Sequence, residues 1–209
     1  THVGRLAFPI FAFLAVEGYF HTRSFKRYAL RMLLFAVLSE VPFDLMYGGT
    51  AFYPVHQNVI WTLLLGLLGI RLMEAARAKG KRWLYVLTCA AVVVLGFALG
   101  TLGMVDYYGA GVLTVFAFYF FRERKWWCLL GQLAALYWLN VAVLGGQMYP
   151  VTLFGREIEL CEQGLALLAL VPIWLYRGRQ GHHSKAFQYA CYAFYPAHML
   201  VLALLTMIQ

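Results

Sequence analysis

An all-α fold is predicted: a polytopic bundle of transmembrane helices forming one integral-membrane domain over residues 1–209. Three observations predict it. Of 209 residues, 63% are hydrophobic and only 12% charged, a balance outside that of water-soluble domains. The stretches 83–105, 126–155 and 186–209 contain no Asp, Glu, Lys or Arg, and each exceeds the ~20 residues that cross a hydrocarbon core of about 30 Å. Finally, fourteen of the seventeen Lys and Arg residues fall in four clusters: Arg23 to Arg27, Arg71 to Arg82, Arg122 to Lys125, and Arg177 to Lys185. Connections rich in cations alternate with connections nearly free of them, the charge bias that orients membrane helices with their basic loops inside.

Eight spans follow in order. Residues 5–20 are apolar up to Glu17 and end before the first basic cluster; residues 29–47 rise from that cluster to the cation-free segment 47–56. Residues 57–74 return to the second cluster, and 83–102 leave it again. The short run 109–121 closes on the third cluster, 126–144 leads away from it, 161–176 returns to the fourth, and 187–208 completes the chain. Tyr53, Trp83, Tyr107, Tyr108, Trp126, Trp127, Tyr149 and Tyr176 stand at the proposed boundaries, as interfacial aromatic belts do. Gly96 and Gly100 form a small-xxx-small pair suited to close helix packing. No internal repeat supports an inverted-repeat transporter. Cytoplasmic basic loops place both residue 1 and residue 209 outside. An external N-terminus without a signal sequence calls for one further helix ahead of Thr1, giving nine spans. A multi-pass protein of the inner (cytoplasmic) membrane with an exterior C-terminus is expected.

The net charge of +8 resides in loops beside the membrane. It is assigned to orientation and to contacts with membrane lipids or anionic cytoplasmic ligands, and no nucleic-acid partner is read from it. Cys89, Cys128, Cys161 and Cys191 have no metal or redox spacing and are read as buried thiols. No phosphate-binding glycine loop, nucleophile elbow or metal-ligand helix is present, so no metal is expected. His182 and His183 are adjacent, point different ways on any regular element, and read as a solvated loop.

Polar side chains inside the spans are the informative exceptions, because burying charge in lipid is costly and such groups face a cavity or one another. Glu17 and His21 lie four residues apart, on one helix face near the basic end of the first span. Glu40 and Asp44 repeat that spacing toward the other end of the second, with Arg31 near its basic end. Gln57 and Asn58 open the third, with Thr62 a turn away. His198 is the one ionisable group of note in the last span. It stands about eleven residues from the basic end, roughly 16 Å of rise and so near mid-depth, with Tyr192 and Tyr195 one or two turns off. Each has a structural reading: Glu17 paired with Arg23 or Arg31, Glu40 and Asp44 with Arg5, Gln57 and Asn58 bonded between helices, His198 a satisfied core group. Each also has a catalytic one, since an imidazole titrates near neutrality and suits proton transfer. Together they predict a polar cavity joining the two faces of the membrane through the first, second, third and last spans.

The same residues carry a resemblance. The stretches GRLAFPIF (4–11), VEGYFHTR (16–23), SEVPFDL (39–45), QNVIWTLLLG (57–66), YGAGVL (108–113) and YACYAFYPAHML (189–200) resemble the TraX family, named for the conjugal-transfer protein implicated in N-terminal acetylation of F-pilin. That family is similar in pattern to a wider clan of integral-membrane acyltransferases using cytoplasmic acyl-CoA. The family pattern opens with a further hydrophobic helix carrying an Asp-His pair, which is expected ahead of Thr1. The resemblance implies an acetyltransferase with acetyl-CoA as donor and a pilin-like N-terminus, peptide, sugar or lipid as acceptor. On that reading His198, His21 and Glu17 are the candidate catalytic groups, while Arg23, Arg71 and Arg177 are candidates for the CoA phosphates. Asp44, Gln57 and Asn58 are candidates for an outward-opening acceptor pocket. The alternative is a proton-coupled transporter or lipid flippase, in which Glu17, His21, Glu40, Asp44 and His198 act as relay groups.

Overall fold

The computed structural model describes residues 4–153, 156–178 and 184–207. Eight helices dominate: α1 (Gly4–His21), α2 (Phe25–Gly48), α3 (Val59–Ala78), α4 (Arg82–Leu102), α5 (Tyr108–Phe120), α6 (Trp126–Tyr137), α7 (Leu170–Leu175) and α8 (Lys185–Met207). Seven predicted spans match within four residues, the sixth once the turn that continues α6 to Leu144 is included, but the seventh, predicted over 161–176, is α-helical only over Leu170–Leu175. Four helical stretches among the described residues are long and apolar enough to cross a membrane: Val59–Ala78, Arg82–Leu102, Trp126–Leu144 and Tyr189–Thr206. The stretches Tyr108–Phe120 and Glu162–Leu175 are apolar but shorter.

Local chemistry sets the ends of α2 and α3. Ser24 caps α2 by accepting from the Arg27 amide, and Gly49 ends it at φ 67°, a left-handed turn that glycine adopts without steric cost. Asn58 caps α3 by accepting from the Ile60 amide at 3.0 Å. Pro9, Pro42 and Pro196 lie inside helices, where each removes one backbone donor; packing against neighbours is what makes this tolerable in membrane helices.

Two features depart from the predicted all-helical path. Trp138–Leu144 continues α6 as a π-helical turn, and the Asn140 side chain donates to the Leu136 carbonyl at 2.9 Å where the ladder changes. Such turns arise where a side chain enters the helical hydrogen-bond ladder. The segment read as a plain connection then forms an antiparallel hairpin, β1 (Met148–Leu153) on β2 (Arg156–Cys161), in a register running from Met148 opposite Cys161 to Leu153 opposite Arg156. A 3-10 stretch (Glu162–Ala169) leads from it into α7.

The core is built around α5. Its face of Val112, Val115, Phe116 and Phe118 is at most 2% exposed, and it meets Leu67, Ile70 and Met73 of α3 with Ala12 and Val16 of α1. On the other side lies α4, whose pair Gly96 and Gly100 permits the contact. A Cβ at Gly96 would stand 2.8 Å from the Phe116 ring, and one at Gly100 2.9 Å from the Tyr108 carbonyl. The outer face of α4 is exposed and apolar, as is much of α8, which packs mainly on α2; surfaces of this kind face lipid. All four cysteines are free: Cys128 and Cys161 are buried and Cys89 partly so, but Cys191 is exposed, against expectation, because it lies on the open face of α8.

Candidate functional site

The structure sorts the predicted polar residues into two groups at opposite ends of the bundle, with the packed α5 core between them. No continuous polar passage links the ends among the described residues: Leu67, Ile70, Val112, Val115 and Phe116 fill the middle. The predicted through-cavity fails because the short α5 packs inside the bundle and occupies its centre.

The basic end holds an open cavity of about 580 Å³, within the size range of small-molecule sites. Glu17 and His21 of α1, Arg122 and Arg124 after α5, Gln132 of α6, and Trp174 and Arg177 at the end of α7 all line it. Glu17 does not pair with Arg23 or Arg31. Its carboxylate receives Arg122 Nε at 2.7 Å and Nη2 at 3.3 Å, a two-pronged contact that holds the guanidinium in one plane. The Phe20 ring lies beneath the same guanidinium, 4.1 Å away, and stacks in turn on Tyr119. The Tyr119 hydroxyl donates to Glu74 at 2.6 Å, which also pairs with Arg77 at 3.4 Å, so the ends of α1, α3 and α5 are tied together here.

His21 is the exposed member of this group. Its Nδ1 lies 2.8 Å from the Glu17 carbonyl oxygen and 3.8 Å from the Glu17 carboxylate. A carbonyl oxygen can only accept, so Nδ1 carries the proton and Nε2 of the neutral ring remains as the basic nitrogen. Arg124 donates to the Trp174 carbonyl at 3.1 Å, the Trp174 indole donates to Gln132 at 2.9 Å, and Gln132 donates to the Phe121 carbonyl at 2.8 Å. This chain fixes the cavity floor. Glu123 pairs with Lys125 at 2.5 Å, and the hydrogen bond and charge of that ammonium hold its carboxyl below the usual range. With Glu17 and Glu123 each matched, the cavity keeps a surplus of guanidinium charge.

Of the three predicted phosphate ligands only Arg177 lines this cavity. Arg23 lies exposed in the α1–α2 turn and Arg71 on the outer surface of α3; basic clusters reveal which end of a helix a cation occupies, not which neighbour it faces. Arg122, Arg124, Gln132 and Trp174 were missed. A signal for Gln132 existed, since it and Asn140 are the two carboxamides in the apolar run Trp126–Leu144.

The opposite end is closed. Asn58 is fully buried and its hydrogen bonds are accounted for: besides capping α3, its amide donates to the Ala36 carbonyl at 2.8 Å and to the Glu40 carboxylate. Trp61 adds a bond to Glu40 at 2.8 Å. Having no donor left, Asn58 joins α2 to α3 and cannot also donate to an acceptor substrate. Asp44, 2% exposed, accepts from the Tyr53 amide at 2.9 Å and closes the α2–α3 loop. Gln57 donates to Pro54 within that loop at 3.2 Å, while its backbone bridges Val105. Thr62 donates to the Asp106 carbonyl at 2.6 Å, and buried His56 lies 3.4 Å from the Asp106 carboxylate. Arg5 pairs with Glu162 at 3.5 Å, not with Glu40 or Asp44. At the predicted acceptor pocket, loop and cap bonds thus engage Gln57, Asn58 and one oxygen of Asp44, while Glu40 Oε1 and Asp44 Oδ1 are buried without a hydrogen-bond partner. His198 lines neither end. It is half-buried, with Nδ1 3.3 Å from the Tyr195 carbonyl and its ring stacked on Phe194. The side chain of Tyr192 and the pair His182–His183 lie outside the described residues.

Comparison with known proteins adds a name to this arrangement. The TraX protein family matches residues 1–206. The chain is 28% identical over 210 residues to the probable fimbrial assembly protein FimC, serogroup H1, of Dichelobacter nodosus, covering 96% of this chain and 80% of that protein. No solved structure matches. The match over nearly its whole length, together with the motifs that build the two polar ends, shows that this chain belongs to the TraX family.

Proposed function

We propose that the protein is a multi-pass inner-membrane acetyltransferase whose donor, acetyl-CoA, enters the cavity at the basic end. The observation that carries this reading is the meeting, in one open cavity, of Arg122, Arg124 and Arg177 with an imidazole whose Nε2 is left basic. Arg124 and Arg177 hold the phosphates of the donor, and Arg122 remains bound to Glu17. His21 takes the proton from the acceptor amine or hydroxyl as that atom attacks the thioester carbonyl. The C–S bond breaks and the CoA thiolate leaves, drawing the proton back from His21. Base assistance of this kind is worth about 10²–10⁴-fold in rate. Glu17 stabilises the imidazolium through its carboxylate. This assignment moves the chemistry from mid-depth His198 to His21. The name of the Dichelobacter nodosus relative concerns fimbrial assembly, which makes the N-terminal amine of a pilin-like subunit the acceptor we favour over sugar or lipid.

The test is purified full-length protein with radiolabelled acetyl-CoA and three acceptors: a peptide with a free N-terminus, an amino sugar and phosphatidylethanolamine. Label transferred to the peptide, and lost on acetylating its amine beforehand, is the expected result. Absence of CoA binding by folded protein in calorimetry overturns the reading.

A further inference from the structure

A second, open groove of about 530 Å³ lies between α2 and α3, and neither the cavity at the basic end nor the opposite polar cluster uses it. One wall is Ala29, Leu30 and Leu33 of α2; the other is Trp61, Leu64 and Leu68 of α3. The walls are apolar throughout, because the Trp61 indole N–H is turned inward to Glu40. Charge appears at one end only. Lys26, in the first turn of α2, lines the groove's basic end. Arg71 follows Leu68 by one turn of α3 and is exposed, so the second wall also ends in a cation. Among the described residues neither Lys26 nor Arg71 has an ion-pair partner. The sequence marked Arg71 as an anion ligand, and its place on the outer surface of α3 removes it from the basic-end cavity without removing its charge.

The pattern fixes the chemistry of an occupant: apolar along two helical turns, with negative charge at the basic end alone. A polypeptide segment fitting the trough would have no reason to carry its charge at that one place. A phospholipid with an anionic headgroup has this arrangement by construction. We propose that the groove binds one anionic phospholipid of the bilayer, an acyl chain lying between α2 and α3 and the phosphate held by Lys26 and Arg71. The proposal is independent of the acetyl-transfer reading.

Native mass spectrometry tests it, with full-length protein released from micelles containing equal amounts of phosphatidylglycerol and phosphatidylcholine of the same acyl composition. Each juxtamembrane cation contributes about fivefold to anionic-lipid affinity. Wild-type protein should therefore retain phosphatidylglycerol over phosphatidylcholine. Lys26→Gln and Arg71→Gln should each reduce its retention about fivefold while phosphatidylcholine retention stays constant. Leu33→Trp with Leu68→Trp, which fills the trough, should reduce retention of both lipids. Lys79→Gln and Arg82→Gln, cations at the same end but off the groove, should leave the preference unchanged. Four results would overturn the proposal: equal retention of the two lipids by wild type, an unchanged preference in the Lys26→Gln/Arg71→Gln protein, equal loss in the Lys79 and Arg82 variants, or a dimer whose formation excludes phosphatidylglycerol.

Discussion

The two ends of this bundle begin from the same sequence device and reach opposite outcomes. At the basic end Glu17 and His21, one turn apart on α1, border open space; at the other end Glu40 and Asp44, also one turn apart, each commit one oxygen to the α3 cap and an indole or to a loop amide and keep the other buried and unbonded. The first pair keeps its chemistry available because its charge is matched by Arg122, a residue that leaves the cavity open behind it. The second is sealed because the α2–α3 loop folds back over it and Asn58 closes the gap between the helices. A pair spaced by four residues therefore marks a helix face and nothing more. What lies opposite decides whether the face is a site or a clasp.

The largest effect separating the ends should come from the two histidines. His21→Ala should lower kcat by about 10²–10⁴-fold with little change in CoA affinity, since only the transition state loses an interaction. His198→Ala should turn over near the wild-type rate; steady-state kinetics with both variants that reversed this order would return the base to mid-depth. Next comes Asn58→Ala. It removes a helix cap and leaves a buried carboxylate short of a donor, so thermal or denaturant unfolding in detergent should show a loss of about 2–4 kcal/mol, with CoA affinity intact in the surviving folded protein. Loss of CoA binding there in step with stability would mean that the ends are not separate.

Arg177→Ala should weaken CoA binding by about 1.5–3 kcal/mol, the worth of a hydrogen bond to a charged group. Lys should recover only part of it, for want of the guanidinium fork. Arg23→Ala, outside the cavity, should change CoA affinity little in the same calorimetry, and an equal loss there would relocate the donor site. The smallest effect is expected from Phe20→Leu, which withdraws the ring beneath Arg122. About 0.5–1 kcal/mol of guanidinium positioning should go, read as a small fall in kcat through Glu17 with the KM for acetyl-CoA unchanged.

Most helix limits were legible because basic clusters and apolar runs bound them directly; the exception is the predicted span 161–176, of which only Leu170–Leu175 is α-helical. The hairpin was not read, although Glu157-Ile158-Glu159-Leu160 alternates polar and apolar residues beside Gly155, a strand pattern. A membrane reading of the chain obscured it. At the site, sequence picked out Glu17, His21 and Arg177, which meet in the cavity, but also Arg23, Arg71 and His198, which do not line it. The decisive partner, Arg122, lies 105 residues from Glu17. No local spacing connects them; only the packing of α5 against α1 does.

One consequence of α5 remains. Thirteen residues give it a length of about 20 Å, against about 30 Å of hydrocarbon in a bilayer. The polar groups on either side, Asp106 before it and Arg122 after it, are thus divided by a septum thinner than the membrane around it. That separation is set by α5 alone: a one-turn insertion in α5 could not keep both the Thr62 bond to the Asp106 carbonyl and the Arg122 bond to Glu17.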